Sequence, residues 1–180
     1  MTVQLPLPGL TCETPSQASE AASLASYPDV DPRVLCLRAK ALGQAGELLV
    51  LSKLTRLGET VFHAGDGLPY DVLMPRRQMA VRLQVKTTTS PQNGFYRFEM
   101  RKGYRNNPQG MRPYRPDDYD IAALVILPLD LVVFTAEKRP AHRIAMRQIP
   151  ALRGAPRQSL HAAFAALGLS QEACAFTPTH

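Results

Sequence analysis

The stretch MAVRLQVKT (residues 79–87) decides the fold, because it carries the cleanest β-strand pattern in the chain. Its apolar positions, Val81, Leu83 and Val85, alternate with the polar positions Arg82, Gln84 and Lys86. Successive side chains of a strand point to opposite faces, so one face must enter a core and the other must carry the polar groups. Gln84 and Lys86 are two residues apart and are therefore predicted to share a face.

The segments around this strand predict an α/β fold. Residues 34–57 repeat apolar side chains at intervals of three and four, which predicts an amphipathic helix ended by Gly58. The continuously apolar run at 120–127 is typical of a strand buried on both faces. The remaining predicted elements are strands at 60–63, 70–74, 95–100 and 131–135 and a helix at 158–167.

Length and composition predict one main domain with appendages. The chain has 180 residues, of which 45% are hydrophobic, enough for a core. Residues 1–32 hold five of the 16 prolines, so we expect a flexible Pro/Ser-rich tail there. We expect the main domain at 33–150 and a C-terminal helical extension at 151–180.

Several classes of protein are excluded. The longest apolar run, 121–127, is far shorter than the roughly 18 residues of a membrane span, so no membrane partner is expected. The first 20 residues lack the pattern of a secretory signal. Cys12, Cys36 and Cys174 lie far apart, which argues against a disulfide framework or a zinc site. These features predict a cytoplasmic protein.

The positive charge is concentrated in one part of the chain. The net charge is +6, but residues 1–70 carry −2 and residues 71–180 carry +8. Residues 97–115 contain six basic side chains and a single acidic one, with aromatic residues between them. Cations that pair with phosphates beside rings that stack on bases are typical of nucleic-acid binding, although a strand with solvated arginines gives the same pattern. The candidate contacts are Arg82, Thr88, Arg97, Arg101, Lys102, Tyr104, Arg105, Arg112 and Arg115.

Four polar residues are predicted to converge at one edge of the sheet. Asp71 lies on the strand before Gln84 and Lys86, and a short turn joins the two strands. Glu47 lies on the helix that must pack its apolar stripe against this sheet. Carboxylate and carbonyl oxygens are the ligands that Mg²⁺ prefers, so Asp71, Gln84 and Glu47 are candidate metal ligands. Such a set is what a metal-dependent phosphodiesterase needs. In that reaction Lys86 would orient or deprotonate the water that attacks the phosphate, or stabilise the transition state.

Two other titratable residues are interpreted as structural. His63 precedes a glycine-containing loop, and no second ligand stands at a suitable spacing for a metal site. Asp120 opens an apolar strand, where an acid typically caps a turn. Neither is included among the candidate site residues.

The motifs Gly46-Glu47, Pro69-Tyr70-Asp71 and Gln84-Val85-Lys86-Thr87-Thr88 resemble those of the PD-(D/E)XK, or restriction-endonuclease-like, nuclease superfamily. The likeness is to the group I intron-associated homing endonuclease branch, which is related to Holliday junction resolvases. The resemblance covers about residues 40–134. It implies a restriction-endonuclease-like core, an α/β fold with a mixed central sheet flanked by helices, and Mg²⁺-dependent cleavage of DNA.

The resemblance also implies roles for individual residues. By position, Glu47 matches the family's helix acid, Asp71 its first-strand acid, and Gln84 and Lys86 its final pair. Gln84 stands where most of the superfamily has an acid, and the homing endonuclease branch shares this variation. Tyr70 directly precedes Asp71 where the family pattern has proline. The helix expected after the Lys86 strand is not evident, which leaves the later strand order open.

The leading hypothesis is a Mg²⁺-dependent DNA endonuclease, homing-endonuclease-like or junction-resolvase-like, acting on duplex or branched DNA. Mn²⁺ is expected to substitute for Mg²⁺. Cutting both strands needs two active sites, so we expect a homodimer or higher symmetric oligomer. A non-catalytic nucleic-acid-binding protein on the same fold is the alternative, and a protein-interaction module with a basic surface is a third possibility.

Overall fold

The structure is a computed structural model that describes residues 24–65, 67–76, 79–103 and 110–169. The chain divides into two compact units, Met1–Ala39 and Lys40–His180. Most of the predicted N-terminal tail, residues 1–23, lies outside the described residues, as does 170–180 of the predicted C-terminal extension. Within the described residues, no helix is long and apolar enough to cross a membrane.

Among its described residues, the first unit contains one short helix, α1 (Pro32–Leu37). Its N-cap is Asp31, whose side chain accepts a hydrogen bond from the Arg33 backbone N–H at 2.7 Å. The prediction of one helix over residues 34–57 is wrong at Arg38, where φ of −99° and ψ of 14° depart from helical values. No glycine or proline stands there, so the periodicity of side chains carried no sign of the break.

Helix α2 (Ala39–Arg56) packs closely against the strand that carries the site. Its buried positions recur every four residues, at Leu42, Gly46, Val50 and Leu54. A Cβ atom at Gly46 would lie only 2.0 Å from Thr87 Oγ1, so glycine is required for this approach. The next residue, Glu47, lies within electrostatic reach of Asp71.

The main sheet has five strands in the order β1–β2–β3–β7–β8. Strand β3 pairs antiparallel with β2 and parallel with β7, and β7 pairs antiparallel with β8. Every residue of β7 is buried, which confirms the interpretation of the apolar run as a strand covered on both faces. The bounds are β1 Phe62–His63, β2 Val72–Pro75, β3 Ala80–Thr88, β7 Ile121–Ile126 and β8 Leu131–Thr135.

The described residues between β3 and β7 contain strands of two small sheets and no helix. Strand β4 (Phe95–Glu99) pairs with β9 (Ala141–Ala145), and it buries Tyr96 and Phe98 in the core. Strand β5 (Arg101–Lys102) pairs with β6 (Arg112–Pro113). The β4 strand was predicted from the sequence, whereas β5, β6 and β9 were not. The β5–β6 pair projects a short hairpin next to the end of β3.

Two α-helices lie in the described residues after β9. They are α3 (Ile149–Gly154) and α4 (Gln158–Ala166), the second of which matches the predicted helix. Leu160 and Phe164 of α4 are buried, and Ser159 Oγ accepts a hydrogen bond at 3.2 Å from the Phe134 backbone N–H of β8. Helices therefore flank the mixed sheet as the predicted fold class requires.

Candidate active site

Asp71 and Gln84 meet beside the first residues of β2. The Asp71 backbone N–H donates to the Leu83 carbonyl at 2.9 Å, which continues the β2–β3 pairing by one residue. Asp71 Oδ2 accepts hydrogen bonds from Gln84 Nε2 at 2.5 Å and from the Val85 N–H at 2.7 Å. The predicted proximity of Asp71 and Gln84 is thus present, and it results from the short β2–β3 connection.

The Asp71 carboxyl group lies in an environment that disfavours its negative charge. Burial raises its pKa to about 6, and repulsion from Glu47 adds to this effect. The Val85 N–H and the charges of Lys86 and His63 oppose the rise but do not cancel it. A half-buried acid at this position is under-compensated by the protein, as expected where a bound cation would supply positive charge.

Lys86 points its ammonium towards the β5–β6 hairpin. Its Nζ donates to the Arg101 carbonyl of β5 at 2.8 Å and lies 5.0 Å from the centre of the Tyr114 ring. Burial lowers the pKa of Lys86, and the attraction of Asp71 partly offsets this. The ammonium is therefore held by neutral groups while remaining within the electrostatic influence of Asp71.

Glu47 reaches the site from α2 and contacts a residue that sequence reasoning left out. Its Oε2 lies 2.8 Å from His63 Nε2. His63 pairs with Val72 in the β1–β2 ladder, so it stands one strand away from Asp71. His63 and Glu47 are 16 residues apart, so no local pattern predicts their contact. The one hint in the sequence is the predicted strand at 60–63, which precedes the Asp71 strand.

The donor groups fit a hard divalent cation. Gln84 Nε2 is occupied by Asp71 Oδ2 and by the Val85 carbonyl at 3.1 Å, which leaves the amide oxygen as the ligating atom. No hydrogen bond reaches Asp71 Oδ1 from the residues described here. The described residues contain no group of three or more His, Cys, Asp or Glu side chains that could by themselves hold a metal ion. A cation would therefore be held by carboxylates together with the Gln84 amide, all oxygen donors of the type that Mg²⁺ prefers.

The candidate nucleic-acid contacts occupy different environments. Arg82 is bound within the fold, since its guanidinium donates to Asp120 at 2.9 and 3.0 Å. Arg97 pairs with Glu99 through Nε at 2.6 Å, and Lys102 pairs with buried Asp118. Half-buried Thr88 lies at the end of β3, where its hydroxyl reaches the Ser90 carbonyl at 3.5 Å.

Three other candidate cations are exposed around the hairpin: Arg101, Arg112 and Arg115. Tyr104 and Arg105 lie outside the described residues. Arg101 lies on β5, Arg112 on β6, and Arg115 shortly after β6. The exposed guanidinium groups therefore belong to the hairpin that contacts the Lys86 ammonium.

A family model and solved structures match this chain. A family model described as PD-(D/E)XK endonuclease matches residues 37–167. The solved structure of a bacterial homing endonuclease, I-Ssp6803I, is similar with a TM-score of 0.50 and 19% sequence identity, over 66% of this chain and 96% of that one. At this identity the structural match shows the fold alone, and it confirms the predicted fold class. No curated protein matches the sequence significantly.

Proposed function

The chain belongs to the PD-(D/E)XK endonuclease family, and from this premise we propose that it is a Mg²⁺-dependent DNA endonuclease. Membership makes it a nuclease, and the family implies DNA as the substrate. The proposal adds the metal, the residues that hold it and the role of the lysine. The observation that carries it is the contact between the Asp71 carboxylate and the Gln84 amide beside Lys86.

In the proposed site, Asp71, Gln84 and Glu47 hold the cation. A bound divalent cation lowers the pKa of a water molecule and offsets the negative charge that develops on the phosphate. Gln84 fixes the Asp71 carboxylate through its amide N–H, which directs its own carbonyl oxygen to ligation. Asp71 supplies the main negative charge, and its raised pKa is consistent with a group that gains from a cationic partner.

Lys86 is proposed to act on the attacking water or on the phosphate oxygen in the transition state. Its ammonium is half-buried, so its charge is less screened than that of a surface lysine. Glu47 binds metal directly or through water, or assists proton transfer. His63, in contact with Glu47 at 2.8 Å, is proposed to orient that carboxylate.

The exposed cations at the β5–β6 hairpin are proposed to bind the phosphate backbone. Arg101, Arg112 and Arg115 are exposed, and they belong to the hairpin whose Arg101 carbonyl accepts a hydrogen bond from Lys86 Nζ at 2.8 Å. Arg97, Lys102 and Arg82 stay in the proposal as weaker contacts, because each already has an acidic partner. Duplex DNA is proposed as the substrate, with branched DNA as the alternative.

Cleavage of both strands would require two copies of the site. We therefore propose a homodimer or a higher symmetric oligomer as the active species. Mn²⁺ is proposed to replace Mg²⁺, since both bind oxygen ligands.

Nicking of supercoiled plasmid and cleavage of a synthetic four-way junction test this function. Wild-type protein should cut at least one of these with Mg²⁺ and neither with EDTA, whereas Asp71→Asn and Lys86→Met should be inactive. Asp117→Asn and Lys53→Met are matched controls, since they change an exposed carboxylate and a lysine of α2 away from the site. Equal rates for wild type and Asp71→Asn would contradict the site assignment.

A non-catalytic nucleic-acid-binding protein on the same fold is the second candidate, favoured by the neutral Gln84. Calorimetric titration with Mg²⁺ or Mn²⁺ separates the two functions. The endonuclease should show metal uptake that disappears in Asp71→Asn. A protein that only binds DNA should show salt-dependent affinity for oligonucleotides without Asp71-dependent metal uptake.

A further inference from the structure

The ring of Tyr114 lies beside the ammonium of Lys86, although the two residues are 28 positions apart in the sequence. The ring centre is 5.0 Å from Lys86 Nζ and 5.6 Å from Lys102 Nζ. Tyr114 is half-buried and directly follows β6 of the hairpin. In the sequence, Tyr114 is only one of several aromatic residues within the basic segment.

Tyr114 is itself fixed by the core. Its ring packs edge-to-face against Tyr119, with centres 5.3 Å apart and planes at 88°. Tyr119 is only 2% exposed, so it provides a rigid support. Burial, with the nearby charge of Asp71 as a second cause, holds the pKa of Tyr114 well above its usual range, so the phenol stays neutral.

The second cation on the ring is also held in place. Lys102 pairs with Asp118, and Asp118 Oδ2 accepts a hydrogen bond from the Arg115 backbone N–H at 2.7 Å. Asp118 is buried, so this pair ties the β5 strand to the segment that follows Tyr114. The hairpin therefore presents two preformed contacts to Lys86, the Arg101 carbonyl and the face of the Tyr114 ring.

A lysine side chain has four flexible bonds, and its position depends on what restrains its ammonium. Attraction between an ammonium and an aromatic face is stronger when the pair is partly removed from water. The Arg101 carbonyl occupies one of the three N–H donors of Lys86. The ring restrains the ammonium without using a donor, which leaves two N–H groups for the water and the phosphate.

We propose that Tyr114 is a positioning residue that holds the Lys86 ammonium in place for phosphodiester cleavage. The inference rests on the proposed function of Lys86. Because Tyr114 follows β6 directly, the hairpin that carries the exposed arginines also holds the reacting lysine. DNA binding at the hairpin and chemistry at Lys86 are thereby joined in one element.

Single-turnover cleavage at saturating DNA tests this role. Tyr114→Leu and Tyr114→Met remove the aromatic face, and we expect each to lower the cleavage rate roughly 3- to 30-fold. Affinity for DNA, measured without metal, should stay within about twofold of wild type, because the exposed cations remain. Tyr114→Phe keeps the ring and should cleave within about twofold of wild type.

Phe95→Leu is the matched control. It removes an exposed ring just before the basic segment, on β4, which pairs with β9. Its cleavage rate should equal that of wild type. Wild-type rates in both Tyr114→Leu and Tyr114→Met, or a failure of Tyr114→Phe to restore the rate, would overturn the role of the ring.

A second readout does not depend on cleavage. In protein labelled with ¹³C-lysine, the ring should shift the ε-methylene protons of Lys86, which are assigned by their loss in Lys86→Met. The shift should persist in Tyr114→Phe and vanish in Tyr114→Leu and Tyr114→Met, and an unchanged shift in all variants overturns the inference. If wild type cuts no DNA, the proposed function fails while this measurement still decides whether Tyr114 holds Lys86.

Discussion

Two carboxylates beside strand β3 lie in opposite electrostatic environments. Asp120 accepts three hydrogen bonds from Arg82, from its backbone N–H and from two guanidinium nitrogens, at 2.7–3.0 Å. Burial opposes its ionisation, but the bonds from Arg82 outweigh burial and lower the pKa of Asp120. Asp71 is held by neutral donors, and burial raises its pKa to about 6.

The difference distinguishes Asp120, which is paired within the fold, from Asp71, which is proposed to bind the cation. Arg82 supplies the positive charge that pairs with Asp120, and this pair joins the start of β3 to the start of β7. At Asp71 the chain supplies two neutral N–H donors and places a second acid, Glu47, within electrostatic reach. The negative charge that remains under-compensated at Asp71 is what the proposed cation would offset.

Exchanging the two acids for amides should separate activity from stability. Asp71→Asn should lower the single-turnover rate roughly 10³-fold, because the main anionic ligand is lost. Its urea unfolding midpoint should not fall, since the amide removes a buried charge. Asp120→Asn should leave the cleavage rate near that of wild type. A large activity loss in Asp120→Asn but not in Asp71→Asn would show that Asp120, and not Asp71, is the acid the reaction needs.

The close approach of Gly46 in α2 to Thr87 in β3 can be tested by substituting either residue. Gly46→Ala should lower the free energy of unfolding by about 3 kcal/mol, because its Cβ would overlap Thr87 Oγ1. Thr87→Ala should recover part of this loss in the double variant, since Thr87 Cβ would remain 3.1 Å away. Urea unfolding of the four proteins measures the coupling, and additive losses would contradict the contact.

The Arg82–Asp120 pair should matter for stability in a pH-dependent way. Asp120→Asn should cost about 2 kcal/mol near neutral pH, less than a fully buried pair because Arg82 is 34% exposed. The Asp120 pKa is depressed in the folded protein, so its contribution is present above the unfolded value of 3.8. It is lost as the pH falls through the folded value.

Urea unfolding of wild type and Asp120→Asn at pH 6 and pH 3 checks the sign. The difference between the two proteins should shrink at the lower pH. A difference that grows on acidification would mean that Asp120 is not ionised in the folded state.

Metal should stabilise the protein through Asp71 and not through Asp120. At a Mg²⁺ concentration ten times its Kd, wild type should gain about 1.4 kcal/mol in the free energy of unfolding. Asp120→Asn should gain the same amount and Asp71→Asn nothing. Thermal unfolding with and without Mg²⁺ measures these gains, and equal gains in all three proteins would place the cation elsewhere.

Local patterns predicted the elements of the site well. Alternation over 79–87 predicted β3, and the residue spacing placed Gln84 and Lys86 on one face. A short turn between two strands was enough to bring Asp71 to Gln84. The Arg38 break and the β4–β9 sheet were not predicted, since no residue pattern near them marks a break or a partner strand.

The roles of Arg82 and Asp120 show the limit of sequence reasoning. Arg82 was considered as a phosphate contact and Asp120 as a turn cap, yet they form one ion pair. The 38 residues between them are bridged by the parallel pairing of β3 with β7. Periodicity within a segment contains no information on which distant strand lies beside it.

The amino-acid sequence by itself determined the family, the central strands and the Asp71, Gln84 and Lys86 set, because these depend on side-chain alternation and on one short connection. Only the tertiary structure decided that His63 contacts Glu47 and that Arg101 and Tyr114 surround Lys86. Those contacts join residues 15–28 positions apart across separate strands and helices. They form because packing the elements on one core brings them together, and no local propensity encodes that packing.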